Sequence, residues 1–334
     1  MPTLYVDRKD SELRMTSGVL HISTPDGHGN RSLPIKYLDR VVLRADTKMS
    51  SKVLCGLAEG GVNLIAIGGR SGNQVAQMSG APHNDSRIRW KQVLALSQPE
   101  VCCKLACSIV QTKVRRQLAT LQHIALQRLD LRKPLFDGQK KLQRILQTLK
   151  SEEISTYDLN QVRGLEGAAA AGYFEAYFFA FAPVLGATGR NRRPPRDPVN
   201  ALLSLSYTML CSQATGACWS AGLDPAMGAL HAISHSRPAL ACDIMEPYRP
   251  KVDLWVWQMF RENQIRAEHF GHDGSGACLL GKAGRGHFYS AWEQYARLNQ
   301  RSLLRYARAV ARALSAGVRS DAWAHLQDIQ PDHQ

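Results

Sequence analysis

One run of the sequence carries no charged residue over 26 positions, from Pro198 to Leu223. An uncharged run of this length is stable either across a membrane or inside a sizeable helical domain. A lipid environment would leave polar groups without hydrogen-bond partners. Because polar residues interrupt this run, it predicts a buried core helix. They include Asn200, Ser204, Ser206, Thr208, Ser212, Gln213 and Thr215. At 334 residues the chain is long enough for two domains and a core of that size.

The remaining composition is typical of a folded protein outside the membrane. Hydrophobic residues make up 44% of the chain and charged residues 21%. The N-terminal stretch MPTLYVDRKDSELRM carries charges throughout and has no apolar signal core. The eight cysteines include no C-x-x-C pair, which predicts buried, reduced thiols and not a zinc site. We therefore expect a cytoplasmic protein with no membrane partner.

The hydrophobic pattern changes near residue 82. Before it, short β-branched runs separated by Gly and Pro predict strands, with one helical interval at Ser50–Gly60. After it, caps such as Asp85 and Asp197, and a capping box at Ser97–Glu100, predict helices. We predict an α+β protein with a small N-terminal β-rich domain and a larger all-α domain. The predicted boundaries are 1–82 for the β domain, 83–87 for a linker and 88–325 for the helical domain.

The net charge of +14 is concentrated in one segment. Residues 85–151 hold 14 Lys and Arg against 4 Asp and Glu, whereas residues 152–334 hold 18 against 17. A basic stripe on helices suits a polyanion, and the absence of an amphipathic anchor favours nucleic acid over a membrane surface. A merely solvated basic face is the alternative, but the acidic residues are too few for a mixed-charge surface.

Two carboxylates lie in an apolar context in the stretch ALACDIMEPYRP. Asp243 and Glu246 are three residues apart, so they share one face of a helix that Pro247 ends. A buried carboxylate has to be paired, protonated or bound to metal. Arg237 and Arg249 could pair with the two acids, and a metal site is the other interpretation.

Two further positions could complete a metal site. Glu166 lies in GLEGAAAAGYF among very small residues, which allow another backbone or a ligand to approach closely. A favourable position near a helix N-terminus explains it equally well. His231 follows a series of turns in AGLDPAMGALH, where a hydrogen-bonded core histidine is the commoner case. A histidine with carboxylates from separate helices suits Mg²⁺ or, because of the imidazole, Mn²⁺. Two other histidine patterns, His231-x-x-x-His235 and His269–Asp273, rank below this set.

Four motifs occurring in order resemble one known family, the CRISPR spacer-acquisition integrases called Cas1. They are GLEGAAAAGYF, DPVNALLSLSYTML, GLDPAMGALH and SRPALACDIMEPYRP. The resemblance implies an N-terminal β domain, a helical catalytic domain, and metal-dependent cleavage and joining of DNA. It places the metal ligands at Glu166, His231 and Glu246, with Asp243 as a supporting catalytic carboxylate. One departure is Ser236, where the family usually has Gly before the arginine.

The resemblance also implies partners. They are a second copy of the chain, a dimer of the small protein Cas2, and DNA, both the captured protospacer duplex and the CRISPR repeat. Homodimerisation is expected through residues 1–84, by pairing of strand edges such as that of VNLIAI. The predicted phosphate-contacting residues are Lys113, Arg115, Arg116, Arg190, Arg192, Arg193, Arg196, Arg237, Arg249 and Lys251.

Two other functions are compatible with the sequence. A basic helical scaffold could hold DNA without cutting it, with its carboxylates neutralised by arginines. A hydrolase of small phosphoesters could use the same metal ligands, although a small substrate would not need a segment with a charge of +10.

Overall fold

A computed structural model describes residues 3–68, 74–78, 85–149, 158–234, 237–317, 321–323 and 326. The chain divides into two compact units. The first comprises Met1–Asn84 and Tyr289–Arg297, and the second comprises Asp85–Phe288 and Leu298–Gln334. Strands dominate the first unit and helices the second, which confirms the predicted fold class. The predicted boundaries place residues 289–297 in the helical domain, whereas the structure groups them with the first unit.

Between residues 3 and 78, the first unit contains eight strands and one α-helix. In chain order they are β1 (Thr3–Val6), β2 (Ser11–Thr16), β3 (Val19–Ser23), β4 (Arg31–Pro34), β5 (Arg40–Leu43), β6 (Thr47–Met49), α1 (Ser51–Glu59), β7 (Asn63–Gly68) and β8 (Gln74–Met78). The helix at 51–59 confirms the predicted helical interval. The β-branched runs TLYVD, GVLHIS, RVVLR, VNLIAI and NQVAQM predict β1, β3, β5, β7 and β8, whereas β2, β4 and β6 were not predicted.

These strands form two four-stranded sheets around one core. The strand orders are β1-β5-β7-β8 and β4-β3-β2-β6. Leu4 and Val41 from the first sheet and Leu13 and Leu20 from the second belong to the same buried cluster. VNLIAI is not an edge, because β7 pairs with β5 on one side and β8 on the other. That part of the dimer prediction is wrong, and the described edges are β1, β8, β4 and β6.

The second unit is built mainly from long helices. They are α2 (Ser86–Leu96), α3 (Pro99–Gln127), α4 (Arg132–Thr148), α5 (Leu159–Phe178), α6 (Pro198–Ser220), α7 (Ala239–Met245) and α8 (Arg249–Arg261), followed by the hairpin β9 (Phe270–His272) and β10 (Cys278–Leu280). The last helix, α9 (Lys282–Ala316), also belongs to this unit except for residues 289–297. Among the described residues no single helix has the length and apolar composition of a membrane span. Only α2 and α3 taken together across their 99° bend reach those limits.

Helix starts follow the predicted caps with one exception. The Asp85 carboxylate accepts a hydrogen bond from the Arg87 N–H, and that of Asp197 accepts one from the Asn200 N–H. The capping box predicted at Ser97–Glu100 is wrong. The Ser97 hydroxyl instead donates to the Leu94 carbonyl at the end of α2, and α3 begins at Pro99 without a side-chain cap.

The uncharged run forms α6, as predicted. Three of its hydroxyl groups donate to a carbonyl of the same helix four residues earlier: Ser206 to Leu202 at 2.8 Å, Thr208 to Ser204 at 3.0 Å and Thr215 to Cys211 at 2.9 Å. This internal pairing removes the cost of burying polar groups. The helix therefore provides a rigid wall on which α7 and α8 pack.

Candidate active site

A buried lysine joins two carboxylates from separate helices. Lys113, in the middle of α3, directs its ammonium group to Glu166 Oε1 on α5 and lies 2.5 Å from Glu246 Oε2, in the 3-10 turn after α7. The side chains of Lys113 and Glu246 are only 7% and 3% exposed, whereas that of Glu166 is 28% exposed. The site is therefore an enclosed ion cluster that opens to solvent at Glu166.

One face of α3 fixes the turn that carries Glu246. Arg116 donates from Nη1 to the Pro247 carbonyl at 2.7 Å, and its guanidinium lies 5.0 Å from the centre of the Tyr248 ring. The Thr120 hydroxyl donates to the Pro250 carbonyl at 3.1 Å. Positions 113, 116 and 120 follow one another along a single helical face. The helix thus positions both the Glu246 backbone and its carboxylate.

His231 is oriented by the buried carboxylate of Asp243. The carboxylate oxygen Oδ2 accepts the backbone N–H groups of Ala229, at 2.6 Å, and Leu230, at 3.1 Å. Oδ1 accepts the His231 backbone N–H at 3.0 Å and lies 2.7 Å from its ring Nδ1. An ionised carboxylate only accepts hydrogen bonds, so Nδ1 carries the proton. The other ring nitrogen, Nε2, is then a lone-pair donor when the ring is neutral, and it faces Glu246 Oε1 at 3.8 Å.

Close packing holds the loop between α6 and α7 against Asp243. A side chain at Gly228 would put its Cβ 2.7 Å from the Ala239 carbonyl carbon and 2.9 Å from Asp243 Oδ2, so only glycine fits. Arg163, three residues before Glu166 on α5, donates from Nε to the Leu230 carbonyl at 2.7 Å. The loop that carries His231 is therefore tied to the helix that carries Glu166.

A second clamp on this loop comes from α2. Gln92 is fully buried, and its amide nitrogen donates to the carbonyls of Asp224, at 2.9 Å, and Met227, at 3.1 Å. Its amide oxygen accepts the Asp224 N–H at 2.8 Å. Because its amide group is satisfied by these three hydrogen bonds, Gln92 can be buried without a large desolvation penalty and fixes the position of the loop backbone.

Arg249 supports Glu246 from the opposite side. Its Nε lies 3.1 Å from Glu246 Oε1, and its guanidinium lies 4.7 Å from the centre of the Tyr207 ring. The Tyr207 hydroxyl donates to the carboxylate of Asp253, which is buried one helical turn beyond Arg249. Burial raises the pKa of Asp253 to about 6, although the hydrogen bond from Tyr207 opposes the rise. A buried polar network therefore holds the arginine.

The positive charges keep Glu246 ionised. Burial acts to raise its pKa, but the neighbouring charges, those of Arg249 and Lys113 foremost, lower it to about 2. Because the folded-state pKa lies below the ordinary value of 4.5, this pairing stabilises the fold fully above that pH and is lost as the pH falls towards 2. At neutral pH Glu246 is therefore ionised.

The predicted metal ligands are near one another, but a lysine occupies the centre. No group of three His, Cys, Asp or Glu side chains within the described part of the chain forms a ready-made metal site. The chemistry of the three predicted ligands still fits a divalent cation. Glu166 and Glu246 converge on the ammonium of Lys113, and the Nε2 lone pair of His231 faces the carboxylate of Glu246. Carboxylate oxygens with one imidazole suit Mg²⁺ or Mn²⁺, and the Asp243–His231 pair is a common outer support for a metal-bound histidine.

Several residues predicted to contact phosphate are engaged inside the protein and are not on its surface. Lys113, Arg116 and Arg249 are not surface cations, because each is engaged by the buried site. Arg190 is also held internally, donating from Nη1 to Asn200 Oδ1 at 2.6 Å and from Nη2 to the Ser204 hydroxyl. Arg115 and Lys251 are half-buried. The predicted contacts that are exposed are Arg192, Arg193, Arg196 and Arg237.

Other residues of the site were not predicted from the sequence. Gln92, Arg163 and Gly228 position the histidine loop, and Tyr207 and Asp253 support Arg249. The only signal for them was an uncommon residue in an apolar context, such as the single amide in RWKQVLAL or the single acid in KVDLWVW. Of the decoys, His235 lies outside the described residues. His269 has ring Nδ1 3.2 Å from the Arg266 N–H and stacks on His287, with centroids 5.3 Å apart.

Comparison with known proteins shows the family of the chain. A sequence profile for CRISPR associated protein Cas1 matches residues 4–294. The chain is 31% identical over 307 residues to the CRISPR-associated endonuclease Cas1 1 of Thermodesulfovibrio yellowstonii, which covers 91% of this chain and 94% of that relative.

Solved structures share the fold. A casposase bound to an integration product aligns over 100% of this chain and 96% of its own, with a TM-score of 0.81 and 19% identity. A Cas6-RT-Cas1–Cas2 complex aligns over 94% of this chain and 35% of its own, with a TM-score of 0.77 and 22% identity. At these identities the likeness is one of fold. The family profile, however, matches most of the sequence, and the chain belongs to the Cas1 family of CRISPR-associated proteins.

Proposed function

We propose that this chain is a CRISPR adaptation integrase that also cuts DNA. It would join the 3′-hydroxyl ends of a captured duplex to the CRISPR repeat. In each transfer the hydroxyl oxygen forms a new bond to a repeat phosphorus. The bond from that phosphorus to the 3′ oxygen of the repeat strand breaks, and a 3′-hydroxyl is released. The observation that carries the proposal is that the carboxylates of Glu166 and Glu246 both contact the Lys113 ammonium, beside His231.

The chain's residues have separable tasks in this proposal. Glu166, Glu246 and His231 would hold Mg²⁺ or Mn²⁺. Asp243 orients the imidazole, and Arg249 holds Glu246. When bound, the cation would lower the pKa of the attacking hydroxyl and neutralise charge that develops on the phosphate. Glu166, the most exposed of the three ligands, lies where the site opens towards a substrate.

Open space next to Glu166 supports access by a large substrate. A Cβ built at Gly164 or Gly167 has no other atom within 4 Å, and Ala168 is exposed. At about 100° per residue, positions 164 and 168 lie on the opposite side of α5 from Glu166 and position 167 lies between them, so the uncovered face adjoins this glutamate. A duplex backbone needs such clearance, whereas a small phosphoester does not.

In the metal-free site, Lys113 neutralises the charges of Glu166 and Glu246. Its ammonium neutralises two carboxylates that would otherwise repel each other in a poorly solvated place. We infer that the lysine and the divalent cation compete for the same carboxylate oxygens. The lysine would then keep the metal-free site folded at the expense of metal affinity.

The proposed partners are DNA, a Cas2 dimer and a second copy of the chain. The Cas6-RT-Cas1–Cas2 structure contains a Cas1 fold together with Cas2, and the casposase structure contains an integration product. Two strand transfers at opposite ends of a repeat require two active sites on one duplex. A homodimer through residues 1–84 would provide them, using the edges of β1, β8, β4 or β6. We also expect the protein to act in the cytoplasm.

We predict that Glu166→Ala abolishes Mn²⁺-dependent cleavage and joining of a branched DNA duplex, because the site loses its most accessible ligand. Loss of at least about 10³-fold is expected from removal of one of three ligands. Gel assays of nicked and joined products give the measurement. The control is Glu175→Ala on the same helix, where the carboxylate forms an exposed pair with Lys141 at 2.6 Å. Full activity of Glu166→Ala, with DNA binding intact, would favour the non-catalytic scaffold.

We predict that Lys113→Met lowers the free energy of unfolding of the metal-free chain by about 3 kcal/mol, because two buried or half-buried carboxylates lose their shared counter-ion. Affinity for Mn²⁺ should rise about tenfold, since no ammonium has to be displaced. Thermal melting and titration calorimetry measure the two effects. Lys141→Met, which removes an exposed ion pair, should change stability by less than about 0.5 kcal/mol and leave Mn²⁺ affinity unchanged. Weaker Mn²⁺ binding by Lys113→Met would show that the lysine supports the metal and does not compete with it.

We predict that the purified chain is a homodimer before DNA or Cas2 binds. Light scattering at micromolar concentration should give twice the 37.0 kDa mass of one chain. The physical reason is that edge strands leave backbone N–H and C=O groups available for pairing across a two-fold axis. A stable monomer would contradict this prediction and would assign the pairing of the two sites to Cas2 or DNA.

A further inference from the structure

The last long helix carries a row of arginines that the active site does not use. Within residues 301–314 of α9, the exposed positions are Arg301, Arg305, Arg308 and Arg312, and every one of them is arginine. Steps of four, three and four residues place them on one helical face. At a rise of about 1.5 Å per residue the row spans roughly 16 Å. We call these four residues the arginine ridge.

The ridge has no acidic counterpart within its helix. No Asp or Glu lies three or four residues from any of its members, and each member has another ridge arginine at one of those spacings. Like charges at this spacing destabilise a helix by a few tenths of a kcal/mol per pair. Helix stability alone would favour alternating acids and bases, and a face of four exposed arginines is suited to an external anion.

The inner side of the same helix packs against the active-site turn. Tyr306, fully buried and adjacent to Arg305, has its ring centroid 6.1 Å from that of Tyr248. Tyr248 lies two residues after Glu246 and stacks against Arg116. The ridge is therefore on the outer side of a helix whose inner side touches the catalytic region, about one helix diameter away.

The chemistry of the ridge distinguishes between possible anions. Guanidinium groups bind phosphate oxygens in pairs of hydrogen bonds, which a lysine row would not do. Membrane-surface helices and protein interfaces both require apolar residues among the charges. The four ridge positions include none, and the one large exposed apolar residue that the structure describes next to them on this face is Leu298, one turn before Arg301. A 16 Å row faces roughly nine phosphate charges of a B-form duplex, at one charge per about 1.7 Å of axis.

We infer that the arginine ridge binds the phosphate backbone of duplex DNA next to the active site, without reading its sequence. The inference rests on the proposed function. It adds a DNA-binding surface outside the basic segment at residues 85–151, whose Lys113 and Arg116 are occupied internally. The ridge would hold the duplex while one of its ends, or the repeat, reaches Glu166.

The test is the salt dependence of binding, measured by fluorescence anisotropy on a labelled duplex in EDTA, where no metal-dependent chemistry occurs. Each phosphate contact contributes about 0.9 to the slope of log affinity against log salt. Changing all four ridge residues to Gln should lower the slope by about 3 to 4 and the affinity at 0.1 M salt about a hundredfold or more. Changing only Arg308 and Arg312 to Gln should lower the slope by about 2. Changing all four residues to Lys should keep the slope.

A matched control removes the same charge elsewhere. Lys9, Arg31, Lys36 and Lys48 are exposed in the first unit, and changing these four to Gln should leave the slope within about 1 of the unchanged protein. Unrelated duplex sequences should bind with equal affinity. Thermal melting checks that each variant is folded.

The outcomes separate this inference from the proposed function. If the unchanged chain binds DNA and the ridge variants keep its slope, the ridge inference fails. The proposed function then stands, and the ridge serves another partner such as an acidic protein. An equal loss in the control would attribute the effect to net charge and would also overturn the inference. Absence of DNA binding by the unchanged chain would overturn both.

Discussion

The active region depends on one charge arrangement, the ammonium of Lys113 between the carboxylates of Glu166 and Glu246. Two carboxylates with little water around them repel each other, and a single cation reverses the sign of that interaction. Because the three residues come from α3, α5 and the turn after α7, the pairing also ties together the elements that form the site. A place that stabilises an ammonium between two acids is electrostatically suited to a divalent ion.

Buried polar side chains with hydrogen-bond or ion-pair partners surround this arrangement. Asp243 accepts three backbone N–H groups and the imidazole, so its negative charge is spread over several donors. Arg249 lies between Glu246 and the face of Tyr207, which in turn donates to Asp253. Buried polar networks with their groups satisfied favour one geometry over alternatives. The result is a site geometry that the fold sets before any ligand binds.

The fold class, most helices and the identity of the acids and the histidine could be predicted from the sequence, because they depend on local periodicity, on caps and on family motifs. The role of Lys113 could not. Within α3 it reads as one of several basic residues, and only the packing of α5 and the 246–248 turn against that face buries it. The same limitation applies to VNLIAI, whose alternation is equally compatible with an edge or a central strand. The partners of a strand or a charge are set by long-range packing, which local patterns do not encode.

The most direct test of the central claim is anomalous X-ray diffraction from crystals of the chain soaked in Mn²⁺. The account predicts one strong anomalous peak, about 2.0–2.2 Å from oxygens of Glu166 and Glu246 and from His231 Nε2. The Lys113 ammonium should have moved out of the space between the two carboxylates. Manganese bound only at other residues, or Lys113 still bridging both carboxylates at saturating Mn²⁺, would contradict it.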